Sequence, residues 1–169
     1  MRTFFISVII HLFFVAPAAY AHKFSTAYLD ISEKNAQIQL LYKVAIHDLA
    51  SANLLSEQTN QISWKQITAS YESIAHYIDS QVKLNSEGTP CALVLLPATT
   101  WQVQHIQQQP YVLLQITADC SNNPLVQLSY NALFETGHSH KLLLSWNINN
   151  LKANAVLAED DRIFPNVKD

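Results

Sequence analysis

Glycine is nearly missing from this chain of 169 residues: Gly88 and Gly137 are the only two. Phosphate-cradling loops, dinucleotide fingerprints and nucleophile elbows need closely spaced glycines, because a Cβ would block the close backbone approach or the strained turn. Two isolated glycines build none of them. Charge is scarce as well. Lys, Arg, Asp and Glu together make up 14 % of the residues, so the polar surface falls to Gln, Asn, Ser and Thr, as in Gln107-Gln108-Gln109. The formal charge of −3 is mildly acidic, which argues against nucleic acid or an anionic membrane surface as a partner.

Long apolar runs are confined to the first residues. Met1-Arg2-Thr3 is a short basic start, Phe4 to Val15 is apolar, and Ala18-Ala19-Tyr20-Ala21 is a small-residue exit after Pro17. A positive start, a short apolar middle and an A-x-A end are the three parts of a signal peptide. The apolar run is about a dozen residues, whereas spanning a bilayer takes roughly 20. Residues 1–21 are therefore read as a cleaved signal. Its loss removes Arg2 and no acid, moving the charge from −3 to −4. No later stretch is apolar for long enough to span a membrane, so the mature chain, starting at His22, is expected to be periplasmic or secreted.

Cysteine is limited to Cys91 and Cys120, each at the end of a strand-like run and beside turn residues (Thr89-Pro90 and Ser121-Asn122-Asn123-Pro124). In an exported chain pairing is the expected state. The bridge would close a loop of about 30 residues and contribute ~3–4 kcal/mol. The alternative, two thiols serving as metal ligands or redox groups, lacks the C-x-x-C spacing.

What remains is strand pattern. Phe24–Ile31 alternates, Glu33-Lys34-Asn35 turns, and Ile38, Leu40, Tyr42 and Val44 form the second arm of a hairpin. Later come Ala92–Leu96, ended by Pro97, then Trp101, Val103 and His105, then Val112, Leu114, Ile116 and Ala118. Val126, Leu128 and Tyr130 follow, then Leu142, Leu144 and Trp146, and lastly Ala153–Leu157. One helical insertion, about 48–80, interrupts the strands. Within it Trp64, Ile67, Tyr71, Ile74 and Ile78 recur at helical spacing, and Ser63 can cap the start. The expected fold is mainly β (α+β): an antiparallel β-sandwich-like domain over residues 22–158, with the helical insertion and one disulfide. The charged end, residues 159–169, reads as a loose tail.

The mature start His22-Lys23-Phe24-Ser25-Thr26-Ala27-Tyr28-Leu29 resembles the exported start of HupE/UreJ-type membrane proteins, A-H-K-x-S-x-S-Y-L. Tyr42-Lys43-Val44-Ala45-Ile46-His47-Asp48-Leu49 is similar to that family's W-D-I-A-L-R-D-L, and Leu54 to Gln66 to its L-D-x-D-x-D-G-x-I-T-W-x-E. Pro90-Cys91, Thr117-Ala118-Asp119-Cys120 and Leu128-Ser129-Tyr130-Asn131-Ala132-Leu133-Phe134 resemble its two cysteine segments and its V-x-Y-x-L-L-F. The resemblance covers nearly the whole mature chain, and the order of the motifs carries its weight. It implies the exported domain of such proteins standing alone, without the multi-helix membrane part associated with nickel or cobalt uptake. The family's acidic loop looks like a calcium loop, with carboxylates at positions 1, 3, 5 and 12 and glycine at 6. Here those positions are Leu55, Glu57, Thr59, Gln66 and Asn60, so one carboxylate of four survives and calcium binding is expected to be lost, while Ile62 and Trp64 keep the apolar frame.

Six histidines remain after the signal. Cleavage after Ala21 makes His22 the N-terminal residue, whose amine and ring nitrogen together suit copper or nickel. Cleavage after Ala19 instead places His22 third, which also chelates these metals. His138-Ser139-His140, beside Gly137, can complete such a site with His138 or His140. The competing reading is that His22 marks the cut and the other two are solvated loop. His76 reads as solvated on the polar side of the helix, and His105 as facing the core edge. His47-Asp48 is either an acid–base or ligand pair, or Asp48 caps the helix before Leu49, which is the simpler reading. Serines lack diagnostic neighbours and acids cluster at the tail, so no catalytic residue is assigned. The expected role is a non-catalytic accessory domain binding a partner protein at or near the membrane. The exposed patch for that partner is sought among Trp101, Tyr111 and Trp146. The alternative is a copper- or nickel-binding protein using His22.

Overall fold

The structure, a computed structural model, describes residues 25–35, 37–56, 61–120, 126–137 and 139–166. The proposed signal, His22, Glu57, Thr59, Asn60 and His138 lie outside the described residues. The elements are β1 (Ser25–Lys34), β2 (Gln37–Ala45), α1 (Ile46–Ser51), α2 (Trp64–Ala69), α3 (Tyr71–Gln81), β3 (Val82–Ser86) and β4 (Thr89–Pro90). Then follow β5 (Ala92–Leu95), β6 (Gln102–Ile106), β7 (Gln109–Asp119), β8 (Val126–Tyr130), β9 (His140–Ile148), β10 (Leu151–Leu157) and β11 (Ile163–Phe164).

The expected mainly β, two-sheet architecture is what the chain adopts. A seven-stranded sheet runs β10-β9-β1-β2-β7-β5, and β6 also pairs with β7; a four-stranded sheet runs β11-β8-β3-β4. β5 lies opposite Ala118 and its neighbours, and β6 opposite the start of β7, so both occupy the same edge of β7. Between them Pro97 interrupts the edge and the chain makes a 3₁₀ turn over Ala98–Thr100. One pairing departs from the antiparallel expectation: β1 and β9 run parallel, from Ser25 opposite His140 to Ser32 opposite Asn147. Period-two alternation is the same for either direction, so the pattern of these strands cannot distinguish them.

Alternate residues meet in one core. Ala27, Leu29 and Ile31 of β1 and Leu142, Leu144 and Trp146 of β9 are buried with Leu84 of β3 and Leu128 of β8. The crossing from one sheet to the other falls at Cys91, between β4 and β5, whose N–H donates to the Leu84 carbonyl at 2.8 Å. Cys91 is disulfide-bonded to Cys120, just beyond β7, so the bridge locks that crossing to the long strand of the first sheet.

The helical insertion is present but divided. Ser63 and Gln66 form a capping box: the Gln66 N–H donates to Ser63 Oγ at 3.3 Å, and Gln66 Oε1 accepts from the Ser63 N–H at 2.8 Å. The single run expected through Ile78 breaks at Ser70, the residue that ends α2 and opens α3. Its hydroxyl donates back to the Gln66 carbonyl at 2.8 Å and accepts the Ser56 N–H at 2.9 Å, anchoring the preceding loop at the break. Ile67, Ile74 and Ile78 are buried as the spacing predicts, whereas Trp64 faces outward.

With glycine so scarce, other residues take the left-handed turn positions. Asn149-Asn150 joins β9 to β10 and Gln107-Gln108 joins β6 to β7, all four with positive φ. Two such residues in a two-residue loop match the twist of a hairpin. Asn tolerates this conformation, while Gln bears a larger steric cost.

The tail expected to be loose from residue 159 is docked over 161–165. Ile163 and Phe164 pair with β8, Phe164 packs edge-on to Trp146 at 5.4 Å, and Pro165 accepts a bond from Gln127. Arg162 lies 4.9 Å from the centre of the Phe134 ring. Charge density suggested solvation, but the pairing with β8, Phe164 against Trp146 and a cationic side chain over an aromatic ring hold the segment down.

Candidate functional site

Beneath the start of β1 lies a chain of polar side chains that joins both sheets. Ser25 Oγ is 2.6 Å from His140 Nδ1, His140 Nε2 is 2.8 Å from the Tyr130 hydroxyl, and Tyr130 is 3.0 Å from the Tyr42 hydroxyl. The four residues come from β1, β9, β8 and β2. Ser25 and His140 are a directly opposed pair in the parallel ladder, so the register itself sets the first contact. The imidazole stacks on Tyr130 at 5.8 Å and meets the edge of Phe134 at 5.5 Å. Burial holds the His140 imidazole down at a pKa of about 4, with Asp48 and Glu135 opposing that effect more weakly. Burial likewise pushes the Tyr42 and Tyr130 hydroxyls well above the usual phenol range.

Ser25 and His140 are the residue types of a nucleophile and a base, yet both are buried within the sandwich. Their contact ties strands together. His140 belongs to the sequence-derived metal set with His22 and His138, but it is 4 % exposed and both of its ring nitrogens already have hydroxyl partners. Among the described residues, no group of three or more His, Cys, Asp or Glu side chains converges as a metal site would. In the segment expected to be a degenerate calcium-type loop, Gln66 is taken up by the helix cap.

Asp48 does not cap α1. The helix follows β2 directly, Ala45 occupies the cap position, and Asp48 sits within the first turn, fully buried. Its Oδ1 is 3.0 Å from Nε2 of the half-buried His47, and neither carboxylate oxygen accepts a hydrogen bond among the described residues. The pair reading of His47-Asp48 thus describes the contact better than the cap. His76 is exposed on α3, in line with its polar side. His105 is exposed too, because β6 extends the sheet past the core instead of facing it.

The aromatic residues expected to form a partner patch are interior. Trp101, Tyr111 and Trp146 are 4, 4 and 3 % exposed. Trp101 donates its indole N–H to the Leu96 carbonyl and packs on Tyr71, and Trp146 faces the docked tail. Exposed apolar side chains lie elsewhere, among them Trp64, Val94, Val103 and Ile163, and two more are neighbours on the outer face of the first sheet. Leu143 of β9 and Val156 of β10 are 36 and 53 % exposed. They line a shallow hollow of about 380 Å³ with Tyr28 and Ala155, rimmed by the polar Asp30, Ser145 and Asn154. Asp30 is ion-paired to Lys43 across the β1–β2 ladder at 2.9 Å. β10 pairs with β9 alone, so its other backbone edge has no strand beside it among the described residues.

Sequence reading missed the hollow because it assigned one parity of each strand to the core and did not question the other. The signal was present: Leu142-Leu143-Leu144 is continuous where alternation asks for a polar residue at 143. No described helix is long and apolar enough to cross a membrane. Comparison with protein-family models and with curated proteins finds no match to this chain.

Proposed function

We propose that this chain is an exported, non-catalytic accessory domain that docks a partner protein at or near the membrane. In this reading it is an exported domain of the HupE/UreJ-like kind that its sequence resembles, working in the periplasm or outside the cell. The observation that carries the reading is the apolar hollow of Tyr28, Leu143, Ala155 and Val156 beside the unpaired edge of β10. Nothing in the packing of the described residues needs Leu143 or Val156 to be apolar, and exposed apolar side chains rimmed by polar groups are a common feature of docking surfaces. The disulfide supports export, since such bridges persist in oxidising compartments. The low charge of the chain favours a neutral partner surface over a charged one. No observation among the described residues favours the copper or nickel reading, which now depends on His22 and His138 without a free ring nitrogen on His140.

Photo-crosslinking in the native exporting cell tests the proposal. A photoreactive residue at position 143 or 156 should give one discrete adduct of a single partner, lost on adding Leu143→Glu or Val156→Glu at the other position. The same probe at exposed Glu72 on α3 should give none. Equal labelling from all three positions, or none from any, would rule out this face as the docking surface.

A further inference from the structure

We propose that the Ser25–His140–Tyr130–Tyr42 chain is an acid-operated latch, in which protonation of His140 releases the start of β1 from β9 and from the second sheet. The geometry makes the neutral ring the one the closed fold accommodates. His140 is held between Tyr130 and Phe134, with a hydroxyl on each nitrogen and, among the described residues, no carboxylate in contact. Either neutral tautomer satisfies all three contacts, because each hydroxyl can reverse its direction. An imidazolium would keep the same hydrogen bonds but carry a buried charge with no counter-ion touching it, which is costly in a low-dielectric interior.

The nearby carboxylates act on the ring only through space, and more weakly than its burial. Asp48, from α1, lies 3.0 Å from His47 Nε2, and Glu135, following Phe134, accepts the Tyr77 hydroxyl of α3 at 2.5 Å. Arg162, ahead of β11, adds a positive charge on the Phe134 ring, which itself touches the imidazole. From β1, β2 and β8 the ring's surroundings contribute only the hydroxyls of Ser25, Tyr42 and Tyr130. Opening the β1–β9 start to water removes the penalty. The open form therefore takes up the proton, and acid shifts the balance toward it by up to tenfold for each pH unit below an ordinary histidine's titration. The latch is also placed to act locally, because Ser25 is the first residue of β1 and His140 the first of β9.

Hydrogen exchange on the full exported chain at pH 7.5 and pH 5.0, corrected for intrinsic exchange chemistry, reads the latch directly. Protection of amides over 25–29 and 140–144 should fall at least tenfold at the lower pH, while α3 and the β3–β8 ladder keep theirs. In His140→Gln, which cannot gain the charge, the two regions should show no such fall. Unchanged protection in the parent chain, uniform loss throughout the domain, or an equal fall in the variant would each overturn the proposal. Should the variant not fold, imidazole ¹⁵N shifts of the parent chain decide. A His140 ring neutral at pH 5.0 in the closed form supports the latch, and one charged there refutes it.

Discussion

The two faces of β1, β9 and β10 share a backbone and differ in what the fold demands of them. On the inner face Leu29, Leu142, Leu144 and Trp146 are buried, and each alternate position is set by packing against the second sheet. On the outer face Tyr28, Leu143 and Val156 meet no second layer among the described residues. Inner residues are explained by stability. Outer apolar residues are not, which is why the proposed docking surface lies there.

Four measurements sharpen or break that contrast. The largest effect is expected from Leu144→Ala, which opens a cavity between the sheets and should cost ~2–5 kcal/mol in urea unfolding. The paired outer change, Leu143→Ser, should stay within ~0.5 kcal/mol. Comparable losses from both would mean that the outer face is covered after all. Next, replacing Cys91 and Cys120 together by alanine should lower stability by ~3 kcal/mol, since the loop between them is freed in the unfolded chain. A loss under ~1 kcal/mol would show that the sheet crossing holds without the bridge.

The acid response of the inner face is somewhat smaller. His140 has its pKa lowered to about 4 against an ordinary 6.5, so above pH 6.5 neither folded nor unfolded chain binds the proton and no penalty exists. As pH falls toward 4 the unfolded chain takes up the proton while the folded one does not, and stability drops by up to ~3 kcal/mol. Urea midpoints at pH 7.5 and 4.5 should diverge more for the parent chain than for His140→Gln; parallel shifts would assign the acid sensitivity to the carboxylates. The last of these changes is a gain. Gln108→Gly relieves a left-handed glutamine in the β6–β7 hairpin and should raise stability by ~1 kcal/mol in the same assay. No gain would mean that the added freedom of the unfolded chain offsets the relief.

Much of the fold was legible along the chain because it rests on local rules. The strands around Leu40, Leu114, Leu128 and Leu144 declare their inward side by alternation, and Ser63 with Gln66 declares the helix start. The candidate sites were less legible. Trp101, Tyr111 and Trp146 had the chemistry of an interface, but aromatic side chains fill cores as readily, and only the packing separates the two uses. That Ser25, Tyr42, Tyr130 and His140 meet had no sequence signal, since they lie as many as 115 residues apart.

Composition, alternation and the two cysteines by themselves determined a β-rich, disulfide-closed domain with a helical insertion, because burial periodicity and the scarcity of glycine act residue by residue. Tertiary structure alone decided the parallel pairing of β1 with β9, the docking of the tail and the joining of four distant side chains around His140. Strand direction, long-range register and the pairing of buried polar groups depend on which segments meet in space, and the alternation of a strand is the same whichever neighbour it finds.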